Sequence, residues 1–392
     1  MGAVMTRLAG SPTSLITAAL MLLAGTIAAV PATAQAGPAA PPAPAPDQRV
    51  RLHAAPGDVV RSATVDLADR SWSRSRGTAK TLTLRTGRFS MVGATWRGAT
   101  PRLEVRTRHA SGWTTWRHAD PMTDGGDPIA GGRGASELLW VDDSKGIQVR
   151  AEGGVPGDLD LVLIDPGHLP GDRRSPAGQQ ASPTARSKAP TSAPMPKLRT
   201  RRQWGANNSW RNGSPRFNTY LQQVHVHHTA TGNTYSRSDV PRILRGMYRY
   251  HTKSLGWFDI GYNFVVDKFG RAWVGRSGGS NRLVRGAHTL GFNKTSVGIA
   301  VVGNLEDRRP WPKAVTTVVK LAAWKLDRYD RQADGDVVVR SSGSDKYAED
   351  ERVELPIIDG HRDTNDTACP GEYLYAELPR IRTRAQWRVD HW

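Results

Sequence analysis

The pattern of apolar and polar positions divides the chain into two parts with different periodicity. Between residues 49 and 165, apolar side chains alternate with polar ones in short runs, such as Leu82 and Leu84 or Ile147 and Val149. A period of two is typical of half-buried strands, and this stretch has no helical pattern. We therefore predict an all-β, sandwich-like antiparallel domain, with turns at 85–87 and 142–146 separating its strands.

After residue 198 the pattern changes to strands alternating with helices. We predict strands at 221–228, 262–266, 272–274 and 296–302, and helices at 239–255 and 312–329. The stretch 296–302 is almost continuous in small and β-branched residues, which favours a central strand. The fold class predicted for residues 198–392 is α/β, with a mixed central sheet flanked by helices.

The first residues have the pattern of a secretion signal. Arg7 precedes an apolar stretch, and Ala34-Gln35-Ala36 offers small residues for cleavage. Gly25 and Pro31 break the apolar stretch, so a cleaved signal peptide at 1–36 is favoured over an uncleaved anchor. We expect a secreted, cell-wall-associated protein without stable membrane insertion.

Two further segments are too poor in apolar residues to fold. Residues 37–48 form an Ala/Pro-rich spacer, and 166–197, rich in Pro, Ser and Ala, are predicted to be a disordered linker. Residues 333–354 are interpreted as a polar insertion in the second domain.

The formal net charge of +18 changes the list of possible partners. Arginines are spread along the chain and no nucleic-acid-binding motif accompanies them, so we expect no nucleic-acid partner. For an exported protein, anionic wall polymers are the relevant polyanions. The alternative is an arginine-rich solvated surface with no partner. We expect a monomer.

Four tryptophans of the first domain allow two interpretations. Trp96, Trp113, Trp116 and Trp140 could stack on sugar rings or pack the core, and packing is favoured. No set of residues in this domain is expected to perform chemistry.

The only cysteine of the chain, Cys369, cannot form a disulfide within it. It could be an inert thiol, an intermolecular disulfide partner, a nucleophile or a metal ligand. Cys369 follows His361 by eight positions, a spacing that suits two ligands of a catalytic Zn²⁺ ion.

A third ligand is expected in the strand at 221–228. His225 and His227 share one face of that strand and His228 lies on the other, because side chains alternate. Spacing alone does not choose between the two faces. Any one of these histidines could instead be a hydrogen-bonded core residue.

Five motifs in order resemble a known family. They are His227-His228-Thr229-Ala230, the run from Gly256 to Phe264, Gly286-Ala287-His288-Thr289, Ser296-Val297-Gly298-Ile299, and the run from Gly360 to Gly371. Together they resemble the zinc N-acetylmuramoyl-L-alanine amidases of the peptidoglycan recognition protein and phage-lysozyme superfamily. The β-rich first domain is similar to the segment that precedes this module in secreted actinobacterial members.

The resemblance implies a set of site residues. The metal ligands would be His227, His361 and Cys369, the catalytic residues Tyr262 and Thr367, and the substrate-positioning residue His288. Asp363 would orient a ligand. The phage branch carries a lysine where this chain has Thr367, and the recycling branch a glutamate where this chain has Ala300.

The implied function is zinc-dependent hydrolysis of the amide between N-acetylmuramic acid and L-alanine in peptidoglycan. One alternative is a peptidoglycan-binding receptor without turnover. Another is a secreted basic adhesion protein, which would bind the wall through its first domain alone and hold no metal.

Overall fold

The computed structural model describes residues 49–67, 70–74, 80–122, 129–173 and 192–392. The predicted signal peptide and spacer lie outside the described residues, as does the middle of the predicted linker, 174–191. No helix within the described ranges is both long and apolar enough to cross a membrane.

The described part of residues 49–165, here called the N-terminal β region, forms an antiparallel sheet. Its central strands follow the order β1-β9-β3-β8-β4-β5, while β2 and β7 pair with β3 and β6 pairs with β4. The strands are β1 Arg61–Asp66, β2 Ser73–Arg74, β3 Lys80–Trp96, β4 Arg102–His109, β5 Gly112–Trp113, β6 Arg117–His118, β7 Gly134–Ala135, β8 Leu139–Glu152 and β9 Leu159–Asp165.

The turns predicted at 85–87 and 142–146 are wrong. Both segments lie inside long strands, β3 and β8, which pair with each other from Lys80↔Ala151 to Val92↔Leu139. The ladder shifts register between Arg85 and Met91, and Asp142 has a positive φ of 53°. Turn-forming residues here mark bulges that bend a continuous strand, so that β3 pairs with β8 along its first part and with β9 along its second.

The C-terminal α/β region, residues 198–392, contains the predicted mixed sheet. Its strand order is β10-β13-β12-β14-β11-β17, with the β12–β13 pair antiparallel and the other pairs parallel. The strands are β10 Leu198–Arg199, β11 Gln223–His228, β12 Phe264–Val266, β13 Ala272–Val274, β14 Ser296–Val301 and β17 Ile358–Gly360. As predicted, β14 is buried and lies between two neighbours, because its residues are small or β-branched on both faces.

Helices cover both faces of this sheet. The helices are α1 Pro170–Arg173, α2 Arg201–Trp204, α3 Asp239–Arg249, α4 Pro312–Asp327, α5 His361–Thr364, α6 Glu372–Tyr375 and α7 Leu378–Asp390. α4 begins with a proline in its first turn, as expected, and packs with α7 against Val224, Val226 and Ile299. Because side chains alternate along β11, His225 and His227 point to the opposite face, on which α3 packs.

The two regions share one hydrophobic cluster. Met91, Trp140 and Ile164 of the N-terminal β region pack in the same cluster as Ile243 and Met247 of α3. After α3 the chain makes a π-helical turn, Tyr250–Ser254, and the carbonyls of Ala94 and Ser136 share the proton of the Tyr250 hydroxyl, at 3.0 and 2.9 Å. The N-terminal β region therefore packs directly on the α/β fold.

The linker predicted for 166–197 is ordered at its first described residues, which corrects that prediction. α1 lies there, and its buried Asp172 accepts two hydrogen bonds from Arg245 of α3, at 2.7 and 2.8 Å. A bidentate arginine–carboxylate pair holds this polar segment in place without an apolar core.

The polar insertion predicted at 333–354 is largely a β-hairpin. β15 Asp336–Ser342 pairs with β16 Glu349–Pro356. Val339, Val353 and Leu355 form a small buried cluster with Phe292, so one face of the hairpin is apolar.

Trp96 packs in the core of the N-terminal β region as predicted, while Trp140 is buried in the cluster shared with α3. Trp113 is 36% exposed and Trp116 half-buried. The guanidinium of Arg106 lies over both rings, at 5.5 and 4.8 Å.

Candidate metal centre

The candidate ligands meet where parallel strands end. β11 ends at His228, and its neighbour β17 ends at Gly360, directly before His361. β14 pairs with the other side of β11 and places the small side chain of Ala300 opposite His227. Ends of adjacent parallel strands lie at one edge of the sheet, so His227 and His361 come together there.

Cys369 returns to the same point through a short loop. The Arg362 amide donates to the Cys369 carbonyl at 2.8 Å, and the Cys369 amide donates to the Thr367 hydroxyl at 3.2 Å. These bonds hold the thiol beside the two strand ends.

The ligand atoms of His227, His361 and Cys369 all lie within 4.8 Å of one another, and all three residues are buried. Cys369 Sγ is 3.6 Å from His227 Nδ1. Ordinary Zn–S and Zn–N bonds at a tetrahedral angle place two such ligand atoms about 3.6 Å apart. The donor set and this spacing therefore fit a zinc ion, with His227 offering Nδ1.

The other two histidines of β11 have separate partners. His225 Nδ1 is hydrogen-bonded to the carboxylate of Asp359 on β17. His228 Nδ1 accepts a hydrogen bond from the Leu305 amide at 3.2 Å. Alternation along β11 left the choice among these histidines open, and the group of candidate ligands that the fold brings together contains His227, the one that the resemblance implies.

Both histidines of the set are uncharged at neutral pH. Burial, together with the neighbouring histidines, lowers the pKa of His361 to about 3 and that of His227 well below its usual value. Neutral imidazole is the form that binds a metal.

His288 lies behind His227 and not in an open groove. It is fully buried, and its Nδ1 is 3.1 Å from His227 Nε2. Its ring fits between two glycines, since a Cβ at Gly286 or Gly298 would lie 2.2 or 2.4 Å from it. This position suits a residue that orients His227, and the substrate-positioning role implied for His288 stays a prediction.

Tyr262 precedes β12 and faces the same site. Its ring centre is 5.3 Å from that of His227, and its side chain is 2% exposed. The His251 ring lies 6.4 Å from the Tyr262 ring, and His251 Nδ1 accepts a hydrogen bond from the Gly261 amide next to it. The loop that carries Tyr262 is therefore held on its far side.

Sequence comparison decides the family. A family model described as N-acetylmuramoyl-L-alanine amidase matches residues 217–372. Peptidoglycan-recognition protein SC1a of Drosophila melanogaster is 31% identical over 177 residues, which is 45% of this chain and 80% of that protein. The chain belongs to the family of peptidoglycan recognition proteins and N-acetylmuramoyl-L-alanine amidases.

Other members of the family are also similar to this chain. Peptidoglycan-recognition protein SA of the same fly is 34% identical over 36% of this chain and 64% of its own length. The solved structure of Drosophila PGRP-LB is 28% identical over 46% of this chain and 91% of that chain, with a TM-score of 0.36. Residues 38–194 match a second model, described as Rv3811 N-terminal galactose-binding domain-like.

In this family member, Asp363 acts on the backbone around His361. Its carboxylate accepts hydrogen bonds from the Gly360 amide at 2.8 Å and from the Tyr375 hydroxyl at 2.6 Å. Asp363 thus caps α5, the short helix that begins with His361.

Sequence reasoning missed one part of the site. Residues 116–118, 120 and 121 of the N-terminal β region line a cavity that also reaches Thr367 and Cys369. No periodicity or spacing signals this, because the contact joins positions about 250 residues apart along the chain.

Proposed function

We propose that this protein is a secreted zinc amidase that hydrolyses the bond between N-acetylmuramic acid and the L-alanine of peptidoglycan stem peptides. The observation that carries the proposal is the convergence of His227, His361 and Cys369, with their ligand atoms within 4.8 Å. Family membership supports peptidoglycan as the substrate class.

The three ligands suit a catalytic site more than a structural one. Structural zinc sites have four protein ligands, whereas catalytic sites have three and leave one position open. Among the described residues, the group of candidate ligands has three members. A zinc ion held there would supply Lewis-acid activation of water and of the amide carbonyl.

The other side chains act around this reaction. The Tyr262 hydroxyl donates a hydrogen bond to the carbonyl oxygen as negative charge develops on it. Thr367 supports the site through the bond that its hydroxyl accepts from the Cys369 amide. Water adds to the carbonyl carbon, the C–N bond breaks, and a proton passes to the released L-alanine amine.

The experiment follows the product. Purified protein is incubated with purified peptidoglycan, and new free amino termini on L-alanine are quantified. We expect release that stops after chelation and returns with zinc. Formation of new amino termini at the same rate with and without chelator would refute the metal mechanism.

A receptor without turnover is the second candidate, and similarity to peptidoglycan-recognition proteins favours it. It predicts binding of peptidoglycan with no new amino termini. The same incubation therefore separates the two functions.

We also propose that anionic wall polymers bind the protein electrostatically. The formal net charge is +18, and a cleft of about 1060 Å³ in the N-terminal β region is lined by cationic residues that include Arg49, Arg85, Arg108 and Lys145. Long-range attraction would concentrate the enzyme at the wall.

A further inference from the structure

A cavity of about 680 Å³ opens beside the candidate metal centre. Cys369 and Thr367 line it from the α/β region, and Trp116, Arg117 and His118 line it from the N-terminal β region. Its volume is in the range of cavities that bind small ligands. Any molecule that fills it would touch a candidate metal ligand and the N-terminal β region together.

This N-terminal wall is fixed to the loop that follows β11. The Arg117 guanidinium donates to the carbonyl of Trp140 at 2.6 Å and to that of Thr231 at 2.9 Å. The Trp140 amide donates to the same Thr231 carbonyl at 2.8 Å. Thr231 comes three residues after His228, so the wall and the ligand-bearing strand form one unit.

We propose that this wall binds the glycan strand of peptidoglycan next to the scissile amide. The inference rests on the proposed peptidoglycan function of the same site, and it adds which part of the substrate the N-terminal β region recognises. The scissile bond joins sugar to peptide, so the groove must receive a sugar on one side of the metal centre and a peptide on the other.

The charge of the cavity lining indicates whether the sugar or the peptide part of the substrate enters it. Five carboxylates line it, against the guanidinium of Arg117 and the imidazoles of His118 and His228: Asp120, Glu137, Glu306, Asp307 and Asp366. Stem peptides carry free carboxylates, which such a lining repels. N-acetylated sugars are uncharged, and their hydroxyls donate hydrogen bonds that carboxylates accept.

Trp116 adds an aromatic surface to this wall. The guanidiniums of Arg106 and Arg150 each lie 4.8 Å from its ring centre and hold it in position. The part of this rigidly held indole that lines the cavity offers an apolar surface to a sugar.

The test uses the full-length, zinc-loaded protein and two wall variants. His118→Trp fills the cavity from a side chain that is 75% exposed, so the fold is retained, and Trp116→Ala removes the aromatic surface. Trp113→Ala is the matched control, because this exposed tryptophan of the same region lines a different cleft. Substrates are soluble fragments of several disaccharides with stem peptides, and a muramoyl peptide with one sugar.

For the multi-sugar fragments, we expect KM to rise about tenfold in both wall variants, the change produced by a loss of about 1.4 kcal/mol of binding free energy. With the single-sugar substrate, KM should hardly change. The kcat of both wall variants should be unaltered on both substrates. An unchanged KM for the fragments in both variants would overturn the inference. An equal rise in KM for the two substrates would also overturn the inference, since the cavity would then bind the stem peptide, which both substrates carry.

A second measurement separates this inference from the proposed hydrolysis. Binding of uncharged N-acetylglucosamine oligomers, whose sugars carry no lactyl carboxylate, is measured by calorimetry for wild type and His118→Trp. If wild type shows no turnover but binds these oligomers, and the variant does not, hydrolysis is refuted and the glycan wall stands. Wild-type turnover without any glycan binding would refute the wall alone.

Discussion

Nδ1 of His288 lies 3.1 Å from Nε2 of His227, while Nδ1 of His227 lies 3.6 Å from Cys369 Sγ. One ring nitrogen of His227 therefore faces the candidate metal position, and the other faces a buried neighbour. With Nδ1 bound to a metal, Nε2 carries the proton and donates it to His288. Such a partner fixes the tautomer and the orientation of a ligand histidine.

His288→Phe should weaken zinc binding by about 10- to 100-fold, because an aromatic ring is kept and the acceptor is lost. Zinc affinity is measured by competition with a chromophoric chelator. His288→Asn should restore much of the affinity, since its amide oxygen can occupy the place of Nδ1. Cys369→Ser serves as the reference for loss of a ligand. Wild-type affinity in His288→Phe would refute the positioning role.

Tyr262→Phe should keep stoichiometric zinc and lower kcat by about 10²- to 10³-fold, the usual effect of removing one donor to a developing oxyanion. Elemental analysis and the L-alanine amino-terminus assay check the two parts. Tyr220→Phe is the matched control, because Tyr220 is 52% exposed and precedes β11 at the end away from the ligands. An unaltered kcat in Tyr262→Phe would remove Tyr262 from the catalytic set.

Gly93→Ala should destabilise the protein by about 1–3 kcal/mol through overpacking. A Cβ at Gly93 would lie 2.8 Å from the Tyr250 ring, which its two hydrogen bonds hold in place. The denaturant midpoint measures the effect. Gly157→Ala, with no atom within 4 Å of the added Cβ, is the control. Equal midpoints for the two variants would contradict the packing of Tyr250 against the N-terminal β region.

We expect the stability of the protein to depend on pH through the buried ammonium group of Lys325 on α4. Burial, and to a smaller extent Arg328, lowers its pKa to about 7, while its ammonium donates to the carbonyls of Ser280 and Arg282. Between pH 7 and the usual pKa of 10.5, the unfolded chain binds more protons at this residue than the folded one. Its contribution to the free energy of unfolding should therefore rise with pH across that window.

Lys325→Met should flatten this rise, measured by denaturant unfolding between about pH 7 and 9.5. Lys320→Met on the exposed side of the same helix should leave the slope as in wild type. The same slope in Lys325→Met as in wild type would show that Lys325 does not titrate in this range.

Binding to an anionic wall polymer should weaken steeply as salt rises, because the attraction is screened. Arg108→Glu with Lys145→Glu should weaken it more than Lys313→Glu with Lys320→Glu, although both pairs change the net charge equally. Cosedimentation with purified polymer measures both effects. An equal loss of polymer binding in the two double variants would show that the attraction comes from the overall charge and not from the cleft.

Periodicity and turn chemistry were sufficient to predict most helices and strands of the α/β region. The central position of β14 follows from its residues alone, as does the proline at the start of α4. Residues 85–87 and 142–146 were misinterpreted as turns, because the same residue types serve in bulges, and only the ladder between β3 and β8 distinguishes the two.

The sequence by itself determined the family, through ordered motifs, and the chemistry available to it, through His361, Cys369 and the histidines of β11. The ordered motifs also implied His227 among those histidines, but only the tertiary structure gives the other two their partners, Asp359 and the Leu305 amide, because these contacts depend on strand register and loop return. The same holds for His288 and for the wall at Trp116 and His118. Contacts between residues far apart along the chain form through packing, which local patterns do not encode.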